Sequence, residues 1–305
     1  MALVLARALV RLAGVLLAVS LLVFLIVHAI PGDPAVIAAG LEASPETVAR
    51  MRHDLGLDRP LPVQFATFVT GALRGDFGVS IRTGAPVRDE IRDRLPHTIR
   101  LAAGATLLAA AIGVTAGIAS AIRRGRAIDR LLMGGTVLAV STPSYWLALM
   151  LMLVFSLRLG LLPSIGTGTP WHDVLPIATL ATYSSGLVCR MTRAAMLDAL
   201  GGDYIRTARS KGVPERIIVV RHALGNALVP IVTLLGLRFG GLLAGTVLVE
   251  SVFAIPGVGR MMVDAVLARD FPMVQGGVLV IAATYVLTNT AADTFAEALD
   301  PRVRR

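Results

Sequence analysis

The sequence predicts an all-α polytopic membrane protein, on three observations. Hydrophobic residues make up 55% of the 305-residue chain and charged residues only 16%, against averages of roughly 45–50% and about 25% in ordinary proteins. Mean hydropathy is +0.74. Uncharged apolar stretches long enough to cross a bilayer recur along the chain. So few charges cannot coat a soluble surface. This excludes a disordered chain, a secreted disulfide scaffold and an ordinary soluble enzyme. The net charge is +9, and Lys211 is the sole lysine among 29 basic residues. In a membrane protein such an excess belongs in cytoplasmic loops rather than on nucleic acid. The single cysteine, Cys189, cannot form an internal disulfide.

Six transmembrane helices are expected, at 12–30, 101–122, 131–157, 174–189, 227–249 and 273–292. The first is uncharged and follows Arg7 and Arg11. Its nineteen residues exceed the roughly 7–15 of a signal-peptide core, so an uncleaved anchor is expected. The third is long enough to tilt or kink at Pro143. The fourth is the weakest, being short and carrying Pro176, Tyr183, Ser184 and Ser185. The fifth is interrupted by Arg238. These spans divide the chain into 1–30 (N-terminus and first helix), an extracytoplasmic loop at 31–98, a core at 99–295 that includes a cytoplasmic loop at 198–226, and a tail at 296–305.

Charge counting orients the spans. The N-terminus carries +2 and segment 123–130 carries +3, from four arginines against Asp129. Segment 190–226 carries +4, and the C-terminal tail +1. Segments 160–173 and 250–273 each carry −1, and 31–98 sets eight arginines against nine acids. Every positive segment falls on one side of the six-span order, so both termini are expected in the cytoplasm.

Two polar segments carry local signals. In the outer loop, Pro31-Gly32-Asp33-Pro34 breaks the first helix. Ser44 then caps a helix that starts at Pro45, puts Val48, Met51, Arg52 and Leu55 on one face, and ends at Gly56. In the inner loop, residues 203–220 begin with Asp203 as a capping residue and carry Gly212 followed by Pro214. That pattern predicts a short helix, a glycine stop and a second short helix. The result is either a docking knob or an ordinary amphipathic connector at the membrane surface.

Catalytic signatures are missing. A Walker A loop needs a lysine after a glycine-rich turn, and Lys211 follows Thr207-Ala208-Arg209-Ser210. None of the five histidines is followed by glutamate, as a zinc-protease helix requires, and there is no Gly-x-Ser-x-Gly elbow. No cofactor and no metal site is expected. His28 reads as a satisfied interfacial histidine. Arg238 is the one charge deep in an expected span, where it either faces a solute pathway or forms an intramembrane ion pair. The pairs Gly113/Gly117, Gly236/Gly240 and Gly241/Gly245 have the spacing that lets helices approach closely, within the bundle or across a subunit interface.

With these residues on the page, the chain resembles, almost end to end, the inner-membrane permease subunits of bacterial peptide and nickel ATP-binding-cassette importers. The likeness is to the type with a long outer loop after the first span. The elements run in order: Pro31-Gly32-Asp33-Pro34, Leu55-Gly56-Leu57-Asp58-Arg59-Pro60-Leu61, Arg74-Gly75-Asp76-Phe77-Gly78-Val79-Ser80 and Arg94-Leu95-Pro96-His97-Thr98. Ser141-Thr142-Pro143 and Glu250-Ser251-Val252-Phe253-Ala254-Ile255-Pro256-Gly257 follow. The most telling stretch runs from Asp203 through Tyr204, Arg206, Thr207 and Ala208 to Lys211 and Gly212. It is similar to the cytoplasmic coupling motif of importer permeases, with arginine in place of the general pattern's glutamate. The motif's Leu-Pro element departs, standing at Val229-Pro230 and further downstream.

The resemblance implies a type I importer permease with a coupling helix between the fourth and fifth spans. Pro214, Glu215 and Arg216 would continue the coupling surface. It implies, as partners, a second homologous permease subunit, one or two ATP-binding subunits, an extracytoplasmic substrate-binding protein and the lipid bilayer, with no nucleic acid. It implies import of di- or oligopeptides or similar small solutes across the bacterial inner membrane by alternating access. The competing reading is an ATP-independent secondary carrier, which calls for internal repeats and mid-membrane ionisable groups.

Overall fold

The computed structural model describes residues 2–29, 33–40 and 43–299. In chain order the helices are α1 (Ala2–Ala29), α2 (Pro34–Ala39), α3 (Pro45–Asp54), α4 (Leu61–Leu73), α5 (Val87–Ile122), α6 (Ala127–Ser141) and α7 (Ser144–Leu151). A π-helical stretch, Met152–Arg158, extends α7. Next come α8 (Val174–Leu200), α9 (Asp203–Ser210), α10 (Glu215–Ile217), a second π-helical stretch at Ile218–Ala223, and α11 (Leu224–Gly245). The last are α12 (Val247–Val252), α13 (Val258–Leu267) and α14 (Phe271–Leu299). There is no strand among the described residues; an isolated antiparallel bridge joins Val79 and Pro86.

Four helices are long and apolar enough by themselves to cross a membrane: α1, α5, the run Glu215–Leu243 and α14. The pair Ala127–Ser141 and Ser144–Arg158 passes only jointly, because it bends by 101° at the Thr142-Pro143 break. Pro143 has no N–H to continue the ladder, and its ring disfavours helical geometry at Thr142, which is extended. The expected third span is thus bent at its proline. The expected fourth span lies within α8, which has 27 residues, about 40 Å of helix, but falls below that hydropathy threshold. The second helix begins at Val87, inside the expected outer loop, and is uninterrupted at Pro96.

The chain divides into two units, Met1–Thr98 with Pro256–Leu287, and Ile99–Ile255 with Thr288–Arg305. In the first, α1 packs on α4 and α2 on α3. Ser44 caps α3 by accepting from Thr47 N–H at 3.3 Å, and Gly56 turns the chain with φ +66°. Asp33 caps α2 through Ala35 N–H and pairs with Arg52. Pro31 and Gly32, the start of the expected helix break, lie outside the described residues. Val87 and Ile91 form a core with Val258, Met261 and Met273. Beside it the buried Asp270 carboxylate accepts from the Ser80 hydroxyl and from the Ile81, Arg82 and Met273 amides, pinning the 80–82 turn to the start of α14.

In the second unit α8 is central, packed against α6, α7 and α11. Helices α5 and α8 run parallel: Gly104 meets Ile177, Gly113 meets Val188 and Gly117 meets Thr192. A Cβ at Gly113 would lie 2.7 Å from Val188 Cβ, and one at Gly117 2.5 Å from Thr192 Cβ. These two glycines serve internal packing. Polar contacts tie each end of the pair, directly at one end and through Asp129 of α6 at the other. Arg100 meets Asp173 at 2.9 Å at one end. At the other, Arg193 donates to both oxygens of Asp129 at 2.8 and 2.9 Å, while Asp129 also accepts from Ser120 and from Gly125 N–H.

The seam makes a packing prediction. Gly117→Val forces a branched side chain into Thr192 and the Cys189 carbonyl, an overpacking cost of about 1–3 kcal/mol or more. Thermal unfolding of the purified chain in detergent should drop accordingly. Gly134→Ala, whose Cβ meets nothing within 4 Å, should leave the transition unmoved or raise it.

Candidate functional site

The inner segment folds as a knob. Gly202 precedes α9 as its N-cap, so Asp203 occupies the first helical position rather than the cap, and its side chain caps nothing. The helix is amphipathic. Ile205 is fully buried in a cluster with Met196, Ile218, Ala223, Ala227 and Ile231, and Ala208 and Val213 pack against the same cluster. Asp203, Tyr204, Arg206, Thr207, Lys211 and Gly212 are exposed. The side chains of Asp203 and Arg206 are 92% and 81% accessible, which leaves them open to a partner.

The stop after α9 is a helix C-terminal motif. Val213 N–H bonds the Ala208 carbonyl at 3.1 Å and Gly212 N–H the Arg209 carbonyl at 2.9 Å. Gly212 has φ +74°, and a Cβ there would meet nothing within 4 Å. Glycine is required by backbone conformation, not by crowding. Pro214 then caps α10, whose three residues run through the π-helical stretch into α11. The second half of the knob is therefore the first turn of the next long helix, not a free-standing short one. Arg209 clasps Glu215 at 2.7 Å across the turn, and Arg216 lies exposed beside it. The Arg209 guanidinium holds the Glu215 carboxyl below its ordinary value. The clasp's contribution is present above the ordinary carboxylate range and is lost only as pH falls through the lowered value. Tyr204 is anchored too, its hydroxyl accepting from Asn226 Nδ2 at 3.1 Å.

A second feature lies in the same unit. Where α6 breaks into α7, a cavity of about 440 Å³ opens against α8 and α11. Arg238 lines it, with its guanidinium 5.9 Å from the centre of the Tyr183 ring and its Nε buried without a hydrogen-bond partner. Among the described residues Arg238 makes no ion pair. A charge at the centre of a membrane span, where the fifth expected span would put Arg238, costs about 2.5–3.5 kcal/mol on insertion scales. Gly241 and Gly245 also line the cavity, and a Cβ on either meets nothing within 4 Å. Gly236 does pack, its Cβ position lying 2.0 Å from Ala292 Cβ, and Gly240 is buried. In the first unit a larger cavity of about 770 Å³ is edged by His28, Arg52 and Gln64. His28 has an acceptor within reach of each ring nitrogen, the Phe24 carbonyl at 2.8 Å and Gln64 Oε1 at 3.1 Å, and its N–H donates to one or the other according to the tautomer.

Sequence reasoning missed the anchoring residues. Ile205 had a signal, the apolar spacing of 205, 208 and 213 under a polar helix. The buried acids Asp129, Asp173 and Asp270 had none, since each reads as an ordinary loop charge until its partner arrives from a distant helix or turn.

Comparison with known proteins gives the family. Residues 113–305 match the family described as binding-protein-dependent transport system inner membrane component. Residues 1–102 match the N-terminal family of the same membrane components. The glutathione transport system permease protein GsiC of Salmonella paratyphi A is 44% identical over 95% of this chain and 94% of its own length. Its counterpart in Escherichia coli K12 is 43% identical over 94% of each. Among solved structures, an inward-facing methionine transporter, MetNI, superposes with a TM-score of 0.58 at 20% identity. It covers 69% of this chain and 96% of the solved one, a likeness of fold. By these matches the chain belongs to the inner-membrane component family of binding-protein-dependent transport systems, as the permease subunit of an ATP-binding-cassette importer and not its ATPase.

Proposed function

We propose that this permease carries glutathione or short peptides inward, and that α9 with Gly212, Pro214, Glu215 and Arg216 is its coupling surface for an ATPase. The observation that carries the substrate reading is the collinear 44% identity to a glutathione permease over 95% of the chain. The coupling reading is supported by the knob's construction. Its apolar face is locked into α8 and α11 through Ile205, so a push on the exposed face moves those helices as a body. Tyr204, Arg206, Thr207 and Lys211 offer the docking face, and Asp203 and Ala208 frame it.

The assembly is one copy of this chain with a second homologous permease, one or two ATP-binding subunits and an extracytoplasmic binding protein. Six spans cross the inner membrane with both termini in the cytoplasm. Parallel α5 and α8 support that count, because the chain between them must cross back once, and the bent α6–α7 pair is the segment available. Positive charge at 123–130 and 190–226 supports the orientation.

Three outcomes follow. The importer reconstituted with its partners should take up glutathione only with ATP and the binding protein; failure with glutathione and with di- and tripeptides would sink the substrate reading. Gly212→Val forces a left-handed conformation worth about 1–2 kcal/mol against any residue with a Cβ, and more against a branched one. Uptake should collapse while membrane insertion persists, and normal uptake with normal ATP turnover would refute coupling through the knob. For orientation, a reporter active only in the cytoplasm should work at either terminus and fail when inserted in 43–73.

A further inference from the structure

We propose that the cavity at the α6–α7 break is a carboxylate-binding station on the solute pathway, with Arg238 as its recognition residue. The inference rests on the reading that the solutes are glutathione or peptides, which supplies the carboxylates. Four observations converge on an anion. Arg238 is the only charged residue that lines the cavity among the described residues, and no acid faces it there. Its Nε is buried and lacks a partner. Tyr183 steadies the guanidinium over its ring face at 5.9 Å and takes none of its hydrogen bonds. Finally, the 101° bend brings the start of α7 to the cavity. Pro143 and Ser144 line the wall, and the first turn has no side-chain cap.

These parts are complementary. A guanidinium fork matches a carboxylate in plane, and uncapped amides at a helix start favour the same charge. A broken helix whose second half opens onto a cavity is a form membrane carriers use for anionic groups. Ser141, Thr142 and Ser144 at the break, with Thr179 and Ser184 of α8, supply hydroxyl side chains, and Leu147, Leu180 and Leu242 are the bulkiest apolar parts of the wall. At about 440 Å³ the space suits a small solute rather than a bare ion.

The test reads the charge of the cavity directly, in the complete importer with its partner subunits in proteoliposomes. Ser141→Cys, in a Cys189→Ala background, is treated with anionic sulfonatoethyl and cationic trimethylammonioethyl methanethiosulfonate, and labelling is read from the mass of this chain. The anionic reagent should react faster, relative to its rate with a free thiol. Arg238→Gln should lower the anionic-to-cationic ratio on the order of tenfold, and Arg238→Lys should keep most of it. Glutathione in excess should slow labelling with Arg238 present and not with glutamine there. An unchanged ratio in Arg238→Gln would overturn the proposal, as it means that an acid from the second permease already neutralises the guanidinium. Absence of labelling both with and without ATP would overturn it as well, as a sealed cavity. If the parent importer carries neither glutathione nor peptides, the substrate reading fails, while the reagent ratio still decides whether the cavity attracts anions.

Discussion

Two long helices lie side by side at a distance set by glycine. Along the α5–α8 seam, Gly113 and Gly117 face Val188 and Thr192 so closely that no Cβ fits between them. In a bilayer there is little hydrophobic gain from pairing apolar helices, so close backbone approach supplies van der Waals contact instead. The seam fixes direction as well as distance. Arg100–Asp173 fastens one end in parallel register, Asp129 at the start of α6 bridges Ser120 of α5 and Arg193 of α8 at the other, and what lies between must return through the bundle. The bent α6–α7 pair does so, and its bend makes the cavity. The far end of α8 leads into α9, so the knob inherits its footing from the same seam.

That hierarchy explains how much was legible in the sequence. Long apolar stretches gave away α1, α5 and α14, because hydropathy is a local property. Pro143 announced a kink, because the missing N–H acts at its own position. The extent of the short inner helix was legible from Gly212 and Pro214, and the structure gives the reason for glycine as its backbone angle of +74° rather than a clash. Asp203 looked like a cap and is not one, since Gly202 already holds the extended geometry that precedes the helix. What stayed hidden depends on pairs far apart in sequence: Asp129 with Arg193, and Asp270 with the 80–82 turn. A lone acid in a loop does not reveal whether a distant helix will bring its arginine.

The glycines divide along the same line. One spacing pattern, small-xxx-small, covers two physical situations. Gly113, Gly117 and Gly236 are sites where a side chain would collide with a neighbouring helix. Gly241 and Gly245 border open space beside Arg238. Sequence spacing marks the face of a helix on which bulk is absent. Whether that absence serves contact or room is decided by what stands opposite, which only the fold supplies.

Arg238 brings these strands together. At the centre of the expected fifth span it would carry an insertion cost that a packing role does not offset, because a leucine in the same place would fill space without that cost. Within the described chain nothing neutralises it, and the ring of Tyr183 recovers only part of its lost solvation. Its remaining interaction energy is therefore available to whatever enters the cavity. A transporter needs that energy to be modest, so that a solute held in one state is released in the next. Binding that differs between the two states is what lets nucleotide-driven motion favour passage over retention. One guanidinium with a helix start, unaided by a closed cage of donors, meets that requirement better than a tight anion site.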